Sequence, residues 1–224
     1  MKKRRIIESL LLTLFSCISL YSTAQKSDVG NWLIYFGNKK IDSKWNWHHE
    51  VQYRNYDAIG DLQQLLLRTG IGYNLTENNN NVLLGYGFIR SENYIAGTDE
   101  KIGNSEHRIY QQFTTRQKFG IFNTQHRYRL EERFLSNNFA LRFRYFLSVN
   151  VPLNNKTIVP KTLYLSAYNE VFLNTRSPIF DRNRLYGGVG YSMSKNTRAE
   201  LGFMAQTLER RNRNQVQMIL FNNF

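Results

Sequence analysis

Six arginines recur in three R-x-R patterns along the sequence. They are Arg127, Arg129, Arg142, Arg144, Arg182 and Arg184. The guanidinium group is planar and presents several donors that suit carboxylate and phosphate anions. Because successive side chains of a β-strand point to opposite faces, each pair would project from one face of its strand. The pattern therefore predicts a positively charged surface that could bind small anions.

Acidic residues on the same face decide how much of this charge stays uncompensated. Glu131, Glu170 and Glu200 share the parity of the arginines and are their candidate partners. The same face also holds Arg54, Arg68, Arg108, Arg116, Arg133, Arg198, Glu50 and Glu106. Twelve arginines therefore meet five glutamates on this face, and these acids cannot neutralise it completely. The alternative is that the charges form a salt-bridge network that only fills a narrow barrel.

The sequence contains little that is typical of a catalytic or metal-binding site. No G-x-S-x-G nucleophile motif occurs. His48 and His49 are adjacent and would point to opposite faces of a strand, so no metal site is predicted. We predict no enzyme and no cofactor. His126, on the apolar parity between Thr124 and Tyr128, is the histidine that a lipid-modifying enzyme would use.

The elements that carry the arginines show an alternation with a period of two. In residues 138–153, NFALRFRYFLSVNVPL, apolar or aromatic residues alternate with Arg142, Arg144, Ser148 and Asn150. Eleven such runs are expected, at 29–37, 44–57, 62–75, 81–94, 104–118, 122–135, 138–152, 161–174, 181–193, 197–209 and 214–224. Turn-forming residues separate them, and no helical period occurs. The pattern predicts an all-β antiparallel meander.

The length of these runs favours a transmembrane barrel, because a tilted membrane strand needs about 9 to 11 residues while soluble strands average about 5 to 6. A secreted β-sandwich or lipocalin-like barrel is the alternative. Bacterial single-chain barrels have even strand numbers. We therefore expect ten or twelve strands in an up-and-down barrel: either the first run is not a full wall strand, or one run conceals two strands.

The first 24 residues have the pattern of a secretory signal peptide. A basic MKKRR stretch precedes an apolar segment, and STA at 22–24 supplies small residues before Gln25. Residues 25–224 then form the barrel domain. Cys17 is the sole cysteine, so the exported chain would have no disulfide. The net charge is +13, of which this segment holds +3. Export argues against nucleic acid as a partner and predicts the outer membrane as the location.

The chain ends in an alternating run, VQMILFNNF, with Phe224 as its last residue. This end resembles the signal by which the barrel assembly machinery recognises its substrates. In addition, segments such as LQQLLLRTGIGYNL, FNTQHRYRLEERF and ALRFRYFLSVNVPLN resemble the family catalogued as domain of unknown function 2490. The resemblance covers nearly all of residues 25–224. It implies a Gram-negative outer-membrane barrel, and it implies no activity and no site residues.

Three functions remain open at this point. The first is a narrow pore or binding protein for small anionic solutes, monomeric in the lipid bilayer. The second is a structural or accessory barrel of an envelope complex, with a packed lumen. The third is a lipid-modifying enzyme that uses His126.

The signal-peptide interpretation predicts a mature N-terminus near Gln25 and recovery of the protein in the outer-membrane fraction. Mass spectrometry of the fractionated protein tests both expectations. A mature N-terminus at Met1, or recovery as a soluble periplasmic protein, would contradict them.

Overall fold

A computed structural model describes residues 29–57, 60–76, 79–136, 138–209 and 211–224 as a closed barrel. The predicted signal peptide at 1–24 lies outside these residues, so it stays a prediction. Within the described ranges, no helix has the length and apolar character needed to cross a membrane.

Eleven strands form the wall, one for each run expected from the sequence. They are β1 (Val29–Lys40), β2 (Trp45–Asn55), β3 (Leu62–Asn74), β4 (Asn80–Tyr94), β5 (Lys101–Phe119), β6 (Phe122–Leu135), β7 (Asn138–Pro152), β8 (Thr162–Asn174), β9 (Phe180–Ser192), β10 (Thr197–Leu208) and β11 (Asn212–Asn223). The expectation of an even number is wrong, and so are both reasons offered for it. β1 is a full wall strand of 12 residues, and no run is split.

The odd strand number determines how the barrel closes. Each strand of a meander reverses direction, so the first and last of eleven strands run the same way. β1 and β11 pair in parallel, from Val29 opposite Asn214 to Asn38 opposite Asn223. All other neighbouring strands pair antiparallel, as predicted. The parallel seam satisfies edge groups that would otherwise stay unpaired.

The parallel seam also places the two ends of the wall at opposite rims. We call the rim at Val29 the N-terminal rim and the rim at Phe224 the C-terminal rim. The backbone N–H of Lys40 donates to the carbonyl of Phe224 at 2.7 Å, and the N–H of Phe224 donates to the carbonyl of Asn38 at 3.0 Å. Phe224 therefore completes the seam through its backbone. Its recognition by the assembly machinery stays a prediction.

The alternation read from the sequence separates the two faces of the wall. Leu84, Leu185 and Phe203 point outward with 61%, 60% and 66% of their surface exposed. Arg142 and Arg144 point inward and are each 3% exposed. The arginines of residues 138–153 therefore face the lumen, and the apolar residues between them form the outer face.

One sector of the interior is apolar. Trp32, Ile34, Tyr186, Met204 and Ile219 form a buried cluster on β1, β9, β10 and β11. The opposite sector, on β5 to β8, carries most of the buried arginines and glutamates. The lumen is therefore chemically divided from one side to the other.

Glycines in the wall leave room for large lumen side chains. A Cβ at Gly190 would overlap the ring of Tyr164, and one at Gly188 would overlap Tyr186. Tyr164 is completely buried and donates a hydrogen bond to Glu200 at 2.9 Å. The ring therefore cannot move away without loss of this bond.

We predict that Gly190→Ala lowers the free energy of unfolding by about 1–3 kcal/mol, the usual cost of overpacking. Gly187→Ala on the same strand is the matched control, because its added Cβ would have no atom of the described residues within 4 Å apart from its own chain neighbours. Urea unfolding in detergent measures both. Equal stability of the two variants would refute the packing argument.

Candidate anion-binding site

Glu131 is the centre of the charged side chains that fill the middle of the barrel. Its carboxylate is completely buried and lies 2.6 Å from Arg142 Nη2 and 2.5 Å from Arg144 Nη1. Three further guanidinium groups lie at 3.7–3.8 Å, those of Arg68, Arg108 and Arg129. Two of the five arginines thus bond Glu131 directly, while the other three lie just beyond hydrogen-bond distance.

Glu170 is a second anchor on β8, two strands away from Glu131 on β6. Arg144 Nη2 and Arg127 Nη2 donate to its Oε1 at 2.5 and 2.7 Å. Arg184 Nη1 lies 3.7 Å from Oε2. Arg144 therefore bridges both carboxylates. It also lies opposite Arg129 in the β6–β7 pairing, so two arginines from different R-x-R patterns are neighbours across the strands.

A β-bulge supplies an acid that the parity argument did not place inside. The β8–β9 register shifts at Phe172 and Leu173, which leaves Asp181 as the extra residue. Asp181 accepts hydrogen bonds from Arg142 Nη1 at 2.8 Å and from Arg182 Nε at 3.0 Å. Asp181 is the first residue of the run expected at 181–193, and a strict period of two assigns it to the outer face. Bulges re-aim side chains in this way.

Aromatic rings pack against Arg54 and against two of the guanidinium groups described above. Arg54 lies 3.8 Å and Arg184 4.7 Å from the centroid of Trp32. Arg144 lies 4.4 Å from the ring of Phe172. The Arg184–Trp32 contact joins β9 to β1, and the Arg68–Glu131 contact joins β3 to β6. These side chains therefore cross the lumen. We call this set the central layer; it consists of Trp32, Arg54, Arg68, Arg129, Glu131, Arg142, Arg144, Glu170 and Arg184.

Eight of the nine predicted site residues in the barrel interior belong to one connected set of ion pairs. These are the six arginines together with Glu131 and Glu170. Glu200 is the exception. It accepts the hydroxyl of Tyr164 and has no ion pair within the described part of the chain. The network also includes Glu106 with Arg108 and Arg133, and Glu50 with Arg68.

A cavity of about 1430 Å³ lies between the central layer and the C-terminal rim. Ser43, Asn79 and Ile158 from the connections at this rim contribute to its lining, so it opens there. Three glutamates and ten basic residues line it. The basic residues are Lys40, Arg54, Arg68, Arg116, Lys118, Arg127, Arg129, Arg144, Arg184 and Arg198.

Arg116 and Arg198 carry uncompensated charge at the mouth of this cavity. They lie on β5 and β10, on opposite sides of the barrel. Arg116 Nε donates to Gln125 Oε1 at 2.9 Å, and Arg198 lies 4.4 Å from the ring of Phe221. Neither has an acidic partner among the residues that the structure covers. The sequence placed both on the inward face but did not single them out; the available signal was the lack of an acid in the facing positions of their hairpins.

The histidines lie on the faces of the wall that their parity predicts. His48 lies inside, 3.7 Å from Glu50, while His49 lies outside beside Tyr35 and Phe224. His126 Nδ1 lies 2.9 Å from the hydroxyl of Tyr145 on the outer face. A catalytic role for His126 stays a prediction.

We predict that Glu131→Gln lowers the free energy of unfolding by about 3–5 kcal/mol, because it leaves buried arginines without their counter-charge. Glu132→Gln is the matched control: it is adjacent, lies on the outer face and bonds Gln111 at 3.0 Å. Urea unfolding in detergent measures both. A loss at position 131 no larger than at position 132 would contradict a central role for this carboxylate.

Comparisons with other proteins identify a family and no activity. No curated protein and no solved structure matches the chain significantly. The model of the family described as "Protein of unknown function (DUF2490)" matches residues 29–217, which is most of the chain. The chain therefore belongs to the DUF2490 family of proteins of unknown function.

Proposed function

We propose that the protein is an outer-membrane barrel that binds small anionic solutes in the cavity at its C-terminal rim. The observation that carries the proposal is the imbalance of charge in the lining, ten basic residues against three acidic ones. The barrel wall excludes much of the solvent and concentrates the field of these charges in the cavity. An anion that enters there gains contacts with guanidinium groups that have no carboxylate of their own.

The outer face supports a membrane location. Its apolar side chains cover the wall between the rims, whereas soluble proteins rarely expose a contiguous apolar surface of this extent. The strands have 11 to 19 residues, enough to cross the hydrocarbon region when tilted. Outward aromatic residues lie near both rims, with Trp45 and Phe119 at one and Phe134 and Phe180 at the other. Aromatic girdles of membrane barrels have this distribution.

The central layer favours binding over free passage. Its charged members are buried, and all of its arginines except Arg54 lie within 4.0 Å of Glu131 or Glu170, so the layer separates the cavity from the N-terminal rim. Passage of a solute would require these ion pairs to break. The same packing is the observation that favours the second candidate, a structural barrel of an envelope complex.

The experiment is calorimetric titration of the full barrel in detergent with inorganic phosphate and with tricarballylate at low salt. We expect both anions to bind. The double variant Arg116→Gln and Arg198→Gln should weaken binding about 100-fold, because each charged hydrogen bond contributes about 1.5 kcal/mol or more. High salt should weaken it as well.

Arg176→Gln is the control for a change of net charge, because Arg176 lies exposed in the connection at the opposite rim. It should leave the affinity unchanged. Equal losses in both variants would show a non-specific charge effect. Absence of binding, together with co-purification of a stoichiometric partner, would favour the structural barrel. A steady conductance in planar bilayers would show an open pore instead.

A further inference from the structure

We infer that the anion bound in this cavity is an acidic saccharide, a sugar ring that carries a carboxylate. The inference rests on the proposed anion-binding function and names its class of ligand. Three surfaces of the cavity carry it: an aromatic wall, a facing wall of amides and hydroxyls, and the guanidinium groups. Each surface matches a different part of such a sugar.

The aromatic wall lies on β1 and β11. The rings of Phe36 and Phe221 stack with their centroids 5.3 Å apart and their planes at 20°. Both rings line the cavity, above Ile34 and Ile219 of the same strands. His48 stacks on the other side of Phe36 at 6.4 Å, and Arg198 lies over the other side of Phe221 at 4.4 Å, so the two rings present their apolar edges to the cavity. Such edges suit the C–H groups of a pyranose ring. A compact acyclic anion gains little from them, because charged groups avoid apolar surfaces.

The wall opposite, on β5 to β7, is hydrophilic. Its lining includes Gln112, Thr114, Asn123, Gln125, Ser148 and Asn150. Carboxamides and hydroxyls supply both donors and acceptors, which is what a row of sugar hydroxyls requires. The Oδ1 of Asn150 is buried without a hydrogen-bond partner, so one acceptor in this wall is still unsatisfied. A site for simple anions needs donors alone.

Hydrogen-bonded asparagine side chains make the mouth of the cavity hydrophilic as well. Asn46 Nδ2 donates to Asn38 Oδ1 at 2.7 Å, and Asn81 Nδ2 donates to Asn46 Oδ1 at 2.8 Å. Asn81 also donates to Asn74 Oδ1 at 2.9 Å. These bonds orient the amides in advance, which lowers the cost of ordering them on binding.

The arginines then favour sugars that carry a carboxylate over neutral sugars. Arg198 lies against Phe221, so a guanidinium group and a ring of the aromatic wall are in contact. A sugar packed against the edge of Phe221 would hold its carboxylate within reach of this group. The volume of about 1430 Å³ exceeds the roughly 300–1,000 Å³ of sites for drug-sized ligands, so it has room for at least a disaccharide.

The test is calorimetric titration of the full barrel in detergent with three probes: digalacturonate, the neutral disaccharide maltose, and the acyclic tricarballylate. We expect digalacturonate to bind most tightly, although tricarballylate carries more charge, and we expect maltose to bind least. Phe36→Leu should weaken digalacturonate about threefold to tenfold, the usual contribution of one aromatic contact, and should leave tricarballylate unchanged, because Phe36 contacts Phe221 and His48 and not the arginines.

Phe203→Leu is the matched control, since Phe203 lies on the outer face of β10. It should change neither affinity. Tighter binding of tricarballylate than of digalacturonate, or an equal loss of both in Phe36→Leu, would overturn the saccharide inference and leave the anion-binding function standing. Failure of both acids to bind would overturn the proposed function itself.

Discussion

The buried ion pairs around Glu131 are the interaction on which the interior of this barrel depends. A guanidinium group is costly to bury without a counter-charge, yet several lie within a few ångströms of one another here. Glu131, Glu170 and Asp181 offset that cost because each contacts at least two arginines. The pairs come from many strands, so they fasten opposite parts of the wall together. They also hold in place the side chains of the central layer, which form the inner end of the cavity.

The distribution of carboxylates divides the lumen into two regions with different roles. In the central layer five of the six arginines lie within 4.0 Å of a glutamate oxygen, and the side chains support the wall. Toward the C-terminal rim the acids are scarce, and Arg116 and Arg198 lack acidic partners within the described ranges. The same residue type is therefore structural at one depth and available for a ligand at another. In the proposed saccharide site, the aromatic and amide walls of the cavity would add selectivity that charge alone cannot give.

The odd number of strands has consequences beyond the seam. Because β1 and β11 run in the same direction, the wall begins at one rim and ends at the other. The backbone of Phe224 bonds Asn38 and Lys40, so the last residue closes the rim at which the cavity opens. A C-terminal residue that serves as an assembly signal would then also complete the wall once the strands have closed.

The sequence by itself determined the strands, their faces and the arginine-rich lumen, because a period of two is a local property of an extended chain. It correctly separated Arg142 and Arg144 from the apolar residues between them. Only the tertiary structure decided the strand number, since whether β1 and β11 meet in parallel depends on closure of the whole sheet. Asp181 faces inward because a bulge interrupts the local period of two. Glu200 accepts a hydrogen bond from Tyr164 because the fold brings these two residues of different strands together. Which arginines remain uncompensated was likewise decided by contacts between strands far apart in the chain.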